Sequence, residues 1–246
     1  MRSIKDSNIT KKLKRQVIIF CLALLAAIIV TLFRSGSSTI EYSEHLDDVV
    51  LTVDDTDVTL RQMGYYIMKT EENIDELATV YDPGDTYAFW RVHTNGGYVI
   101  VQAKETSMNT CIRDMVYCAE AQAAGYALSD TELDNLLDKV KDTFDGLSYK
   151  QRQVLKYTED ELYDILYYVE LASSYANYIV ENEDLSEYDQ TPEIAVDIDG
   201  AYYNEILKDH TIKKDNRLWA KVHLGNITIT RVSIGNSNDA EKDPEK

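Results

Sequence analysis

The side chains in this sequence with the most versatile chemistry are four histidines, His45, His93, His210 and His223, and three cysteines, Cys21, Cys111 and Cys118. A zinc site would need such ligands at short, regular spacing. The histidines are scattered, so no metal site is expected. Cys111 and Cys118 sit seven apart in one predicted helix, where two turns separate their Cα atoms by roughly 10 Å, too far for an unstrained disulfide. They read as a buried pair of small apolar groups. The run DIDG at 197–200 has part of a calcium loop, yet position one would be Ala195 and position twelve Ile206, neither with a side-chain oxygen. No G-x-S-x-G, S-x-x-K, H-E-x-x-H, C-x-x-C or G-x-x-x-x-G-K-[ST] occurs. With 43 aspartates and glutamates, no single carboxylate pair stands out as a general acid and base. The expectation is a protein without catalytic, cofactor-binding or metal-binding residues, and so not an enzyme.

Contact chemistry remains. The chain holds 18 tyrosines, five of them, Tyr163, Tyr167, Tyr168, Tyr175 and Tyr178, on the longest predicted helix. Tyrosine offers stiff, amphipathic contact area suited to varied partners. Phe89 and Trp90, with Tyr87, fall in a predicted loop and are the better candidates for exposed contact groups. Phe89, Trp90, Tyr87, Tyr163 and Tyr167 are therefore the expected partner-binding residues. The competing reading is that these rings pack the helices together.

The elements that must position them are legible from their ends. In AEAQAAGYALSDTELDNLL, 119–137, Gly125 supplies a helix stop, since it adopts the left-handed conformation without steric cost. Ser129 is the next N-cap, Glu132 its capping-box partner, and Leu128 and Leu133 a hydrophobic staple. The same grammar recurs at Thr59 with Gln62, Ser148 with Gln151, and Thr158 with Glu161. Helices are expected over about 60–80, 108–124, 130–143, a short stretch after 148, and 159–181. Apolar stripes put Met63, Tyr66, Ile67, Ile74, Leu77 and Ala78 in the core from the first helix, Ile112, Met115, Val116 and Ala119 from the second, and Leu133, Leu136, Leu137 and Val140 from the third. VVLTV at 49–53 alternates as a strand, and TYAFWRVHTNGGYVIV at 86–101 reads as a loop with a hairpin near Asn95 and Gly96. DIDGAYYNEILKDH suggests a short helix. LWAKVHLGNITITRVSI suggests strands, with 222–230 pairing with 49–53 so that the lone strand is not left unpaired.

Charge and hydropathy bound the location. VIIFCLALLAAIIVTLF, 17–33, carries no charge in 17 positions, the lower edge of a bilayer-spanning helix. Lys11, Lys12, Lys14 and Arg15 precede it, so the positive-inside bias keeps the N-terminus in the cytoplasm and the rest outside. A cleaved signal peptide is the alternative, but the apolar run is long for one and no A-x-A site follows. Beyond residue 34 there are 18 basic against 42 acidic residues, about 24 negative charges in excess. Such a surface argues against nucleic-acid binding, which needs Lys and Arg clusters. The expected organisation is a basic cytoplasmic tail (1–16), a transmembrane anchor (17–33), a linker (34–47), a helical domain (48–182), an acidic linker (183–196), a C-terminal helix and strand completing the domain (197–234), and a disordered tail (235–246).

A strand reading V-D-x-x-x-V-T into a capped helix, a helix ending EAQAAG, then YALSDTEL, and a long TEDELYDIL helix together resemble the N-terminal chaperone domain of SurA-type extracytoplasmic foldases, the SurA and PrsA group. The resemblance covers about residues 48–182. It is strongest at Ala121, Gly125, Ser129, Asp130 and Glu132, which match A-x-x-x-G, S-D and E of that family. It implies a mostly α, SurA-N-like fold with a small β element formed by N- and C-terminal strands, preceded by one transmembrane helix. It also implies binding of unfolded or partly folded client polypeptides outside the cytoplasm; an extracytoplasmic chain without an internal disulfide is compatible with a Gram-positive cell surface. The parvulin prolyl isomerase domain that should follow the long helix has no room in the 64 residues after Asn182. A non-catalytic, membrane-tethered chaperone is therefore the expectation. An envelope scaffold with one fixed partner, and an isomerase relative with a lost catalytic domain, are the alternatives.

Overall fold

All four capping sequences close into capping boxes. In each, the Ser or Thr side chain accepts from the N3 backbone while the N3 Glu or Gln side chain accepts from the N-cap N–H. The Ser129 N–H, for example, donates to Glu132 Oε2 at 2.7 Å. Glu132 then reaches further, its Oε1 accepting from Ser174 Oγ at 2.7 Å on a neighbouring helix. Gly125 has φ +69°, and the bonds from its N–H to Gln122 O and from Tyr126 N–H to Ala121 O complete a Schellman stop.

The computed structural model describes residues 39–94 and 96–232. The expected cytoplasmic tail 1–16, the apolar run 17–33, the start of the linker, Asn95 of the hairpin and the tail 235–246 lie outside the described residues. The elements belong to one unit, Glu41–Lys246. A 3-10 turn at Tyr42–Glu44 leads into β1 (Val49–Val53), β2 (Thr56–Thr59), α1 (Leu60–Tyr81), α2 (Thr86–Phe89), β3 (His93–Thr94), β4 (Gly97–Tyr98) and α3 (Val99–Ala123). Then come α4 (Asp130–Gly146), α5 (Tyr149–Leu155), α6 (Glu159–Asn182), α7 (Pro192–Ala195), α8 (Ala201–Ile206), a 3-10 turn at Leu207–Asp209, β5 (Ile212–Lys214) and α9 (Asn216–Lys221). The described chain is mostly helical.

Helix α3 lies between α1 and α6, and α4 packs on α6. Leu60, Met63, Ile67 and Met68 of α1, Met108, Cys111 and Tyr117 of α3, and Leu162 and Leu166 of α6 are all buried in the core. Both cysteines are buried and free. Leu77 and Leu137, expected in the core, are instead exposed, and Ile74, Ala119 and Leu133 are half-buried. The stretch expected as an acidic linker folds onto the domain through Leu185, Ala195 and Val196, all buried, with Tyr117 Oη donating to Val196 O at 2.6 Å.

The core holds two buried carboxyl groups, Glu71 on α1 and Asp114 on α3. Asp114 on α3 is 2% exposed, and its Oδ1 accepts from Arg113 Nη2 at 2.9 Å. Burial raises its pKa to about 6 although the Arg113 guanidinium opposes the shift. The native state thus keeps a proton that the unfolded chain, titrating near 3.9, has already released. Because the folded pKa is the higher, the contribution is fully present at low pH and is lost as pH rises through 6. Unfolding free energy measured in urea is expected to fall by about 1 kcal/mol between about pH 5 and about pH 7.5 on this account, and that increment should vanish in Asp114→Asn. An equal loss in the variant would contradict it.

The returning C-terminal segment corrects the sequence reading. The sheet runs β2-β1-β5, and β1 pairs with β5, not with 222–230. His210 guides β5 into place: its Nδ1 lies 2.7 Å from Asp54 Oδ2 and its Nε2 lies 3.1 Å from Glu120 Oε1. The Thr211 N–H and the His210 ring hold the Asp54 carboxyl below its ordinary range. LWAKV, expected as a strand, lies largely in α9, at whose end Lys104 Nζ donates to Trp219 O (2.5 Å) and to the carbonyl of the following residue, Val222 (2.6 Å). Residues 222–232 then run as irregular chain across α1, α2 and α5. They do not form a strand, and the N–H groups of Gly225, Ile227, Thr228 and Val232 are taken by side chains.

Candidate client-binding surface

The taking group is Glu71, in the middle of α1 and fully buried. Its Oε1 accepts from the N–H of Gly225 (2.5 Å) and Ile227 (3.1 Å), and its Oε2 from the N–H and Oγ1 of Thr228 (both 2.6 Å). A carboxylate satisfied by three amides and a hydroxyl offsets its own desolvation and fixes a loop that has no regular ladder. Lys150 of α5 holds the outer side, donating to Asn226 Oδ1 and Ile229 O. Gly225 has φ +95°, and a Cβ there would stand 3.0 Å from Trp90 Cε3. The loop therefore lies directly on the indole.

This explains the first correction at the site. Trp90, expected as an exposed contact group, is 0% exposed, roofed by the loop that Glu71 holds. Its Nε1 has no hydrogen-bond partner among the described residues. Phe89 and Tyr87 point to a different environment and are half-buried. The segment expected as a loop from 86 is helical at α2 because Asp85 caps it, its carboxylate accepting from the Ala88 N–H at 3.1 Å. The hairpin near Gly96 is present as β3 and β4, whereas Val99–Val101 open α3.

Helix α1 delivers the rest of the surface. It stops at Asp82, whose Oδ1 accepts from the Gly84 N–H at 2.9 Å, and its last turn overhangs the packed core. Leu77 is 58%, Val80 86% and Tyr81 63% exposed. The Tyr81 ring meets that of Phe89 at a centroid distance of 5.3 Å. Tyr87 carries the Arg231 guanidinium 4.3 Å from its ring centroid and Arg91 at 5.8 Å. The segment at Val232 seals this side: the Tyr87 N–H donates to Val232 O, and the Val232 N–H to Thr86 Oγ1. Beneath it, burial raises the Asp75 carboxyl above its ordinary range and lowers Arg231 from its own. The result is an apolar strip of Leu77, Val80, Tyr81 and Phe89, edged by cationic Arg91 and Arg231.

Tyr163 and Tyr167 are not part of it. They stack on one another near the start of α6, ring centroids 6.4 Å apart and both half-buried. That end of α6 adjoins the first turn of α1, where Arg61 Nε lies 3.2 Å from Glu161 Oε1. Since α1 has 22 residues, its two ends stand roughly 30 Å apart. The five expected contact residues thus divide into Tyr87 and Phe89 on the strip, Trp90 beneath it, and a tyrosine pair at the far end of α1. Of the other tyrosines on α6, Tyr175 is buried and Tyr178 exposed, and both meet Tyr126 with centroids 5.3 Å away. Packing, not display, uses most of that helix's aromatic area.

Sequence reasoning did not find Glu71, Leu77, Val80 or Tyr81 as site residues. Nothing in KTEEN distinguishes Glu71 from the other acids. Val80 and Tyr81 follow the last buried position of α1, Ala78, and that position is the signal that could have exposed them. Among the described residues no group of three His, Cys, Asp or Glu could hold a metal ion, and no helix is long and apolar enough to cross a membrane. Comparison of the chain with known protein families, curated proteins and solved structures finds no match.

Proposed function

We propose that this chain is a membrane-tethered, extracytoplasmic chaperone-like protein that holds unfolded or partly folded polypeptides without catalysis. The observation that carries the reading is the exposed apolar strip at the end of α1. A last helical turn with valine at 86% exposure and leucine and tyrosine both above half is apolar area that a client's exposed hydrophobic segments would cover. The strong negative charge of the rest keeps such complexes soluble. The resemblance of residues 48–182 to the SurA and PrsA chaperone domain supports the same reading, as does the C-terminal return that adds a strand to β1. The apolar run 17–33 and its flanking lysines support the tether and its orientation.

Light scattering of a chemically unfolded protein diluted into buffer tests this. The full chain in lipid nanodiscs is expected to suppress aggregation at near-stoichiometric ratio, and the effect should tolerate salt because apolar burial supplies the attraction. The triple variant Leu77→Ser, Val80→Ser, Tyr81→Ser should raise the chain concentration needed for half-suppression by about tenfold, equivalent to about 1.4 kcal/mol of binding. Its urea midpoint should stay close to wild type, since the three side chains are exposed. Unchanged suppression by the variant would remove the strip from the reading.

A further inference from the structure

Strand β5 is the last of its sheet, with β1 on one side and no described strand on the other. The Asp54 N–H donates to Thr211 O and the Asp215 N–H to Val50 O, and Lys213 stands opposite Thr52. Residues 211, 213 and 215 therefore direct their backbone groups at β1. By the alternation of antiparallel ladders, the N–H and C=O of Ile212 and Lys214 face outward. Lys213 and Lys214 are exposed; these lysines and the shortness of the strand guard the edge against indiscriminate pairing, while no described strand covers its outward groups.

A cavity of about 510 Å³ opens beside this edge, lined by Ile212 and Lys214 together with Ile112, Ile198, Tyr203 and Leu207. It shares Asn109, Ile198 and Asp199 with a trough of about 860 Å³ along α3. That trough carries Glu105, Glu193, Asp197 and Asp199. Among the described residues only Asp197 of these has an ion-pair partner, Arg113 at 3.1 Å. Backbone donors and acceptors, a pocket whose apolar side is formed by Ile112, Ile198, Tyr203, Leu207 and Ile212 and whose other side is polar, and an acidic wall thus lie in one continuous depression.

We propose that this depression binds an extended polypeptide segment as a further strand on β5, with an apolar side chain in the pocket and basic side chains against the acidic wall. The four outward backbone groups give register, the pocket selects an apolar residue, and the carboxylates select lysine or arginine, the usual division of labour in strand addition. Beyond Lys213 and Lys214 of the edge itself, charge complementarity along the trough sets the class of occupant: an acidic segment would meet Glu105, Glu193 and Asp199, which have no ion-pair partner among the described residues. The site shares no residue with the apolar strip of α1 and α2 and stands without the reading given above.

The test is fluorescence anisotropy of the full chain in nanodiscs with a labelled nine-residue peptide of alternating valine and lysine. It should bind at least about tenfold tighter than the valine–glutamate counterpart, and salt should weaken it. N-methylation of alternate peptide bonds should lower affinity by about tenfold, because those donors meet the edge. Lys214→Pro removes one outward N–H without touching the ladder to β1, whereas Lys214→Ala keeps it. The proline variant should bind about tenfold more weakly than the alanine variant at the same thermal midpoint. Glu105→Gln with Glu193→Gln should flatten the salt dependence. Equal binding of the two peptides, or of the N-methylated and unmodified ones, would overturn the proposal. Neither result bears on aggregation suppression through the α1 strip, which Lys214→Pro should leave unchanged.

Discussion

Replacing Glu71 by alanine is expected to destabilise the folded unit by about 4 kcal/mol, the combined penalty of stranding several buried donors at about 1–3 kcal/mol each. The donors are the amides of Gly225, Ile227 and Thr228 and the Thr228 hydroxyl. Among the described residues they have no second acceptor, and residues 222–232 make no ladder that could supply one. Glu71→Gln should fall between wild type and Glu71→Ala: one carbonyl oxygen still accepts, but the amide nitrogen faces donors instead of accepting from them. Urea unfolding of the full chain reads the energy, and hydrogen exchange at residues 225–228 reads its place. A change below about 1 kcal/mol would show that the loop is held by other contacts.

The second large effect separates neighbours. Trp90→Ala is expected to cost about 3–5 kcal/mol of stability, the range for emptying a buried indole site. Phe89→Ala should cost only about 1 kcal/mol, the scale of its ring contact with Tyr81. Client binding should respond in the reverse order, with Phe89→Ala weakening it in a fully folded protein. Because Gly225 rests on the indole, Trp90→Ala and Glu71→Ala both loosen the same loop, and their effects should be less than additive in a double-mutant cycle. Chemical denaturation of wild type, the three single variants and the Glu71–Trp90 double variant checks the whole set. A near-neutral Trp90→Ala would contradict the burial that separates the two residues.

Local chemistry was readable in the sequence where it is settled within a few residues. Thr59, Ser129, Ser148 and Thr158 announced their helices because a capping box needs only its own four positions. Gly125 announced its stop for the same reason. What depends on partners far along the chain was not readable. HLGNITIT has the composition of a strand, but Glu71, about 150 positions earlier, takes its amides, and TIKK, with fewer apolar residues, takes the edge of β1 because His210 and Thr211 are pinned by Asp54. Trp90 looked exposed because the segment that roofs it arrives from residue 225 onward. The apolar stripe of α1 was read to Ala78, which is buried, but it also took in Leu77, which is exposed, because periodicity does not say how wide a face the neighbours cover.

The most direct measurement of client binding is site-specific photo-crosslinking on the full chain in nanodiscs, with the reactive group placed at Val80 in one protein and at Asp134, on the exposed polar face of α4, in another. An unfolded polypeptide added in slight excess is expected to be captured from position 80 and not from 134, with the same yield at low and high salt. The folded form of the same polypeptide should compete poorly. Equal capture from both positions, or none from position 80 while the unfolded polypeptide is present, would contradict the account.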